Sequence, residues 1–228
     1  LHQGYLAGLK KRGGTLATST PVTALQRDGS GWKITTAGDA EGAGVVVNAA
    51  GAWCDVVGAM AGLGPIGLQP KRRTAFTFAV PDGVDHRAWP MVVEAEHDFY
   101  FRPEGPSLLG SPGDQTPVEP QDIKHEEIDV ALAIDRIQNV TSMEIRTIQS
   151  AWAGLRSFVS DGLPVAGFDP SADSFFWLAG QGGYGILSSP AMSRLTAGLV
   201  VEGTAPADVT SFGLDPQLIS PERLGDRH

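Results

Sequence analysis

Three side chains and one loop carry the chemistry that this sequence can be read for. The side chains are Arg73, Tyr100 and Arg156; the loop is Gly180-Gln181-Gly182-Gly183-Tyr184-Gly185. A guanidinium holds a carboxylate through two parallel N–H bonds, and a phenol adds another donor. The loop suits an electron-rich group. It follows the apolar run 175–179 and precedes a helical pattern with Ser188, Ser189 and Pro190 at its start. Helix-end amides and the helix dipole favour negative charge there, and glycine lets a ligand approach closely.

Each side chain also has a plainer reading. Arg156 lies in Ala151-Trp152-Ala153-Gly154-Leu155-Arg156-Ser157-Phe158, where strand alternation gives it one face with Trp152 and Gly154. Burying it needs a partner, either a ligand carboxylate or an internal Asp or Glu in a structural ion pair. Lys71, Arg72 and Arg73 head the strand-like run 74–80. Arg73 shares a face with Ala75 and Thr77, opposite Phe76 and Phe78, so it points to solvent or to a cleft. Tyr100 faces away from Phe99 and Phe101. It is either a donor to a ligand or a tyrosine on a sheet surface. Cys54 reads as a small core residue. No Ser/His/Asp set has a spacing that supports nucleophilic catalysis.

Gly180, Gly182 and Gly185 fit G-x-G-x-x-G, but the dinucleotide fingerprint opens a βαβ unit. Here the helical pattern runs to about Glu202, stops at Gly203 and is followed by a Pro-rich polar tail. The segment reads as a closing strand–loop–helix rather than the start of a Rossmann half.

The elements that must position these residues fall into two textures. A short helical period covers residues 1–12. Strand-like runs follow at 15–25, 31–36 and 44–49, then a small helix over 54–61 that ends at Gly62-Leu63-Gly64-Pro65. From Leu68 the runs 68–80, 91–93, 99–103, 107–110 and 144–157 read as strands of an antiparallel sheet. One helix is expected over 121–139, with Ile123, Ile128, Leu132, Ile134 and Ile137 as its apolar stripe.

A chain of 228 residues that is 42% hydrophobic supports an ordinary globular core. Its net charge of -9, without a basic stripe, argues against nucleic acid and anionic membrane as partners. Cys54 is the single cysteine, so no internal disulfide forms. His2, His86, His97, His125 and His228 show no metal-ligand spacing, and no metal is expected. No apolar run approaches the roughly 20 residues that span a bilayer. Leu1-His2-Gln3-Gly4 is neither an initiator start nor a signal peptide, so a cytoplasmic piece of something longer is expected.

Three segments carry a resemblance: Val45-Val46-Val47-Asn48-Ala49-Ala50-Gly51-Ala52-Trp53, then Ala153-Gly154-Leu155-Arg156-Ser157 with Asp161-Gly162, then Ala179-Gly180-Gln181-Gly182-Gly183-Tyr184-Gly185-Ile186. Together they resemble the FAD-dependent D-amino acid oxidase/glycine oxidase family. Leu68-Gln69-Pro70-Lys71-Arg72-Arg73-Thr74-Ala75-Phe76, Trp89-Pro90-Met91, Phe99-Tyr100 and Leu109-Gly110-Ser111-Pro112 are similar to its D-arginine dehydrogenase branch. The resemblance covers the C-terminal part of the family, without the N-terminal strand and loop that grip the ADP half of FAD.

The resemblance implies an α/β (α+β) fold. Residues 1–64 and 158–228 would form part of an FAD-binding α/β domain, and 65–157 an inserted antiparallel substrate domain. Arg156 would clamp the carboxylate of an amino acid substrate, with Arg73 and Tyr100 lining the same pocket. Val22 would meet the adenine side of FAD. Ala49, Ala50 and Gly51 would pass close to the cofactor, while Gly182, Gly183, Tyr184, Gly185, Ile186 and Leu187 would border the flavin ring.

Leu187 departs from the D-arginine dehydrogenase branch, which carries a polar amide there. No cysteine lies near the 152–156 strand, so FAD would be noncovalent. The implied reaction moves a hydride from the substrate α-carbon to flavin, leaving an imino acid that hydrolyses to a keto acid and ammonia. Three expectations remain open: a catalytic portion of such an enzyme, a folded fragment inactive alone and without flavin, or an amino-acid-binding module. A missing first strand would also favour self-association through an open sheet edge.

Overall fold

The computed structural model describes residues 1–225; Asp226, Arg227 and His228 lie outside the described residues. Helix α1 (His2–Lys11) leads into an antiparallel sheet of β1 (Val22–Asp28), β2 (Gly31–Thr36) and β3 (Ala40–Ala43). β4 (Val46–Asn48) and α2 (Cys54–Met60) follow. The long β5 (Gln69–Ala79) then starts a second sheet with β6 (Val92–Val93), β7 (Tyr100–Glu104), β8 (Ser107–Ser111), β9 (Thr116–Pro117) and β10 (Ile148–Phe158). Its order is β10-β5-β8-β7-β6, with β9 also on β5, and every pairing is antiparallel. α3 (Glu127–Val140) separates β9 from β10. β11 (Val165–Asp169) and β12 (Ala172–Ala179) join β4 in a third sheet of order β11-β12-β4, and α4 (Gly185–Ala197) follows the glycine loop. β12 runs parallel to β4.

The alternation of β5 organises the second sheet. Arg72, Thr74, Phe76 and Phe78 are buried on one face, where Val130, Ala133 and Ile137 of α3 pack with Phe99, Phe101 and Leu108. Of the expected α3 stripe, Ile137 is buried and Ile134 packs against the same cluster, while Ile128 and Leu132 are exposed. Arg72 is the physical reason. It pairs with Glu126 and Asp129 at the start of α3, which sets the rotation of the helix.

β12 is buried on both faces, as befits a central strand. Phe175 and Trp177 pack with Trp32 and Cys54, while Phe176 packs with Met192 and Leu195 of α4. Gly58 on α2 is required here, because a Cβ would lie 2.3 Å from the Trp177 ring.

Several boundaries differ from the sequence expectation. The first strand begins at Val22, after the Pro21 break, and the 44–49 run is only the short β4. α3 starts at Glu127 rather than near Gln121, because Pro120 and irregular backbone precede it. α4 starts at Gly185, which puts Pro190 inside the helix, and a π-helical turn, Gly198–Glu202, carries it to a left-handed Gly203.

Candidate functional site

β5 and β10 place the two arginines. Their register sets Gly154 opposite Arg73 and Arg156 opposite Lys71, so all four residues share one face. Tyr100 reaches the same face through the ladder in which it opposes Ser111. Arg73 and Arg156 are both half-buried. Burial, and then the nearby Arg156 guanidinium, push the Arg73 pKa down, while Tyr100 and Asp114 oppose that shift. Arg73 Nε donates to the main-chain carbonyl of Asp114 at 2.7 Å. Among the described residues neither Arg73 nor Arg156 forms a salt bridge. The internal ion pair that could have explained Arg156 is therefore not formed.

Arg72 has the opposite fate. It points into the core face, with Asp114 Oδ2 at 3.6 Å and Asp129 Oδ2 at 2.9 Å, the latter an ion pair rather than an aligned hydrogen bond. Burial works to lower its pKa, but Glu126, Asp129 and Asp114 together raise it.

The glycine loop is fastened to the end of β10. The Gly182 N–H donates to the Ser157 carbonyl at 3.0 Å. Gly182 has φ +51°, and a Cβ there would sit 2.5 Å from the Phe158 ring. A Cβ on Gly183 would sit 2.8 Å from Arg156 Nη1. Gly182 therefore needs glycine for backbone conformation and packing, and Gly183 leaves room for the guanidinium as placed.

On its other side the loop walls a cavity of about 410 Å³. Gly180, Gln181, Gly182 and Gly185 form one wall, Ala49 and Gly51 another, and Leu155 and Ser157 of β10 a third. Tyr5 of α1 and Ser189, Met192 and Ser193 of α4 close it. The turn at residues 49–51 is pinned by buried Asn48, whose Oδ1 accepts from the Ala50 N–H at 3.3 Å and whose Nδ2 donates to the Cys54 carbonyl at 2.8 Å. Because Leu155 and Ser157 face the cavity, Arg156 between them faces the arginine site.

The structure thus gathers Arg73, Tyr100 and Arg156 on one face. It lines the cavity with Ala49, Gly51, Gly182 and Gly185. Gly183 packs on Arg156, and Ala50 packs against the core below. Val22 lies at the start of β1, outside the cavity lining. Tyr184, Ile186 and Leu187 are exposed and also outside it. Sequence reasoning did not single out Leu155, Ser157 or Asp114. The alternation that placed Arg156 would have paired Leu155 with Ser157, whereas Asp114 left no local signal.

A cavity of about 410 Å³ lies within the roughly 300–1,000 Å³ range of ligand and cofactor sites. Its small residues and open backbone suit a flat ring against a glycine loop, next to an anion-binding face. The chain belongs to the family described as FAD dependent oxidoreductase, which matches residues 1–199.

FAD-dependent oxidoreductase domain-containing protein 1 of Bos taurus is 29% identical over 201 residues, covering 80% of this chain and 40% of that protein. Glycine oxidase of Geobacillus kaustophilus is 29% identical over 203 residues, covering 89% and 52%. The crystal structure of that glycine oxidase superposes with a TM-score of 0.75 at 26% identity, over 95% of this chain and 54% of the other. The mixed α/β architecture with its antiparallel sheets is that of the flavoenzyme fold. The chain spans about half, or less, of the length of these relatives. Among the described residues, no helix is long and apolar enough to cross a membrane.

Proposed function

We propose that this chain supplies the carboxylate-binding face and one wall of the flavin site of an FAD-dependent oxidoreductase acting on amino acids or related amines. The carrying observation is the pair Arg73 and Arg156. They share one face, half-buried, beside a phenol and without a salt bridge among the described residues. Two such cations are best satisfied by a bidentate anion. In this reading the antiparallel portion, 65–157, binds substrate, and residues 1–64 and 158–228 flank the cofactor. The separate apolar clusters, one under β5, β7, β8 and α3 and the other among β2, α2 and β12, support that division.

Flavin, when bound, would supply an acceptor for a hydride from the substrate α-carbon. Arg156 and Arg73 hold the carboxylate, Tyr100 adds a donor, and the open space at Gly154 admits it. Fixing the carboxylate orients the α-C–H; loss of the hydride from the neutral amine would leave an iminium, whose proton passes to water as the imine forms. Cys54, the chain's single cysteine, is buried at the start of α2, and β10 carries no cysteine, which supports noncovalent flavin. A D-amino acid is the favoured substrate, with a basic, D-arginine-like side chain on the resemblance of residues 68–76 and 89–91. A glycine- or sarcosine-type oxidase is the second reading, favoured by the similarity to glycine oxidase.

The test uses the flavin-loaded protein that carries this chain, assayed with D-arginine, D-alanine, glycine, sarcosine and ethylamine. Turnover of the carboxylates but not of ethylamine, lost in Arg156→Ala, is expected. Equal use of ethylamine would sink the reading. For the chain in isolation we also propose self-association, since β4 has β12 on one side only among the described residues and exposes Val47. A monomer in sedimentation analysis would count against that.

A further inference from the structure

Asp114 grips three consecutive residues of β5 that serve different faces. Its Oδ1 accepts from the Thr74 backbone N–H at 2.7 Å, and its Oδ2 accepts from the Thr74 hydroxyl at 3.1 Å. Oδ2 also lies 3.6 Å from Arg72 Nε on the core face. The main-chain carbonyl of the same residue accepts from Arg73 Nε at 2.7 Å on the ligand face. The Asp114 side chain is 9% exposed and Thr74 is fully buried, so these bonds form away from water. Through Arg72 the residue is tied on to Glu126 and Asp129 at the start of α3.

Arg73 needs such a restraint. It sits near a second guanidinium, and a long side chain repelled by a like charge would turn to water. With Nε held by a carbonyl, the guanidinium is fixed near Tyr100 and Arg156. A donor array fixed before the ligand arrives binds more tightly than one ordered by it.

We propose that Asp114 is a positioning residue, which fixes the Arg73 guanidinium beside Arg156 and thereby sets the affinity for a carboxylate. The proposal rests on the reading of Arg73 and Arg156 as a carboxylate clamp. Asp114 acts through two elements at once. Its side chain braces the 111–116 segment against β5, and its carbonyl then meets Arg73 in one place.

The test is titration of benzoate, a simple carboxylate probe, into the flavin-loaded protein carrying this chain, read by isothermal titration calorimetry. Arg73→Ala and Arg156→Ala should each weaken benzoate; if neither does, or if the wild type does not bind it, the clamp reading fails and the proposal with it. With the clamp upheld, Asp114→Asn, which keeps one acceptor for the Thr74 N–H, should weaken benzoate about threefold or less, and Asp114→Ala about tenfold. In the Arg73→Ala background, Asp114→Ala should add nothing, since the side chain acts only by holding the main-chain carbonyl that Arg73 uses. A folded Asp114→Ala with unchanged affinity, or an equal loss with and without Arg73, overturns the proposal alone. Should Asp114→Ala not fold, Thr74→Val removes only the hydroxyl that braces Oδ2. A loss of about threefold that depends on Arg73 is then expected, and no loss overturns the proposal.

Discussion

Gly154 stands directly opposite Arg73 in the β5–β10 ladder, and a Cβ built there meets nothing within 4 Å. The strand that delivers Arg156 thus leaves the space before Arg73 clear. Gly154→Val puts a β-branched side chain into that space without a clash. We expect the thermal midpoint to move by less than about 2 °C, because the position is open. Benzoate affinity of the flavin-loaded protein should fall about tenfold, a loss of about 1.4 kcal/mol. Retained affinity would show that the ligand does not enter beside Gly154.

Gly183 makes the complementary prediction. Its absent Cβ would lie 2.8 Å from Arg156 Nη1, so Gly183→Ala must push the guanidinium aside. The affinity loss should approach that of Arg156→Ala while the secondary structure, read by circular dichroism, stays unchanged. Wild-type affinity in Gly183→Ala would separate the loop from the arginine.

Arg72 carries stability rather than ligand binding. Its side chain is 8% exposed, and Arg72→Met leaves Asp114 and Asp129 without their cation. Breaking a buried ion pair from one side costs about 3–5 kcal/mol, and the lower end applies here because Glu126 can turn to water. Urea denaturation should show that drop in the unfolding free energy. A loss below about 1 kcal/mol would mean that the network is worth no more than a surface pair.

Cys54 should be inert in the native protein. Burial pushes its thiol up to about 12, so almost no thiolate exists at pH 8. A disulfide reagent such as dithionitrobenzoate should find no reactive thiol at pH 8 until denaturant is added, and one equivalent thereafter. Rapid native reaction would contradict the burial of α2 under Trp177.

Asp161 gives a pH dependence with a definite sign. Hydrogen bonding from Arg223 holds its carboxyl below the ordinary 3.8, with Nε to Oδ2 at 2.7 Å. Its contribution is fully present above the unfolded value and is lost as pH falls through the lower folded value. Arg223→Gln should therefore flatten the loss of thermal midpoint below about pH 4 and leave its slope near neutrality alone. The change will be small, because Asp161 is 38% exposed and screened by water. An unaltered acid limb would remove this pair from the account.

Much of the candidate site was legible in the sequence because strand alternation is a local property. A period of two put Arg73 opposite Phe76 and Phe78, and grouped Arg156 with Gly154 and Trp152, before any pairing was known. The glycine loop was legible for a similar reason, since a run of glycines between an apolar strand and a helix has few other uses. The rotation of α3 was only partly legible. Ile134 and Ile137 of the expected stripe do meet the core, but Arg72, drawn from a distant strand to Glu126 and Asp129, sets the start of the helix so that Val130 and Ala133 face inward and Ile128 and Leu132 face out.

By itself, then, the sequence determined which residue types sit on which side of each strand, and that the chain carries donors suited to a carboxylate beside a loop suited to a flat ring. The tertiary structure decided that Arg73 and Arg156 share one face with no salt bridge to either among the described residues, and that Arg72, next to Arg73 in sequence, is paired in the core. It also decided that Asp114 serves both faces of β5. Charge pairing depends on the register between strands far apart in the chain and on which way a helix is rotated over them. Both are fixed by packing and hydrogen bonding across the fold, and no local pattern records them.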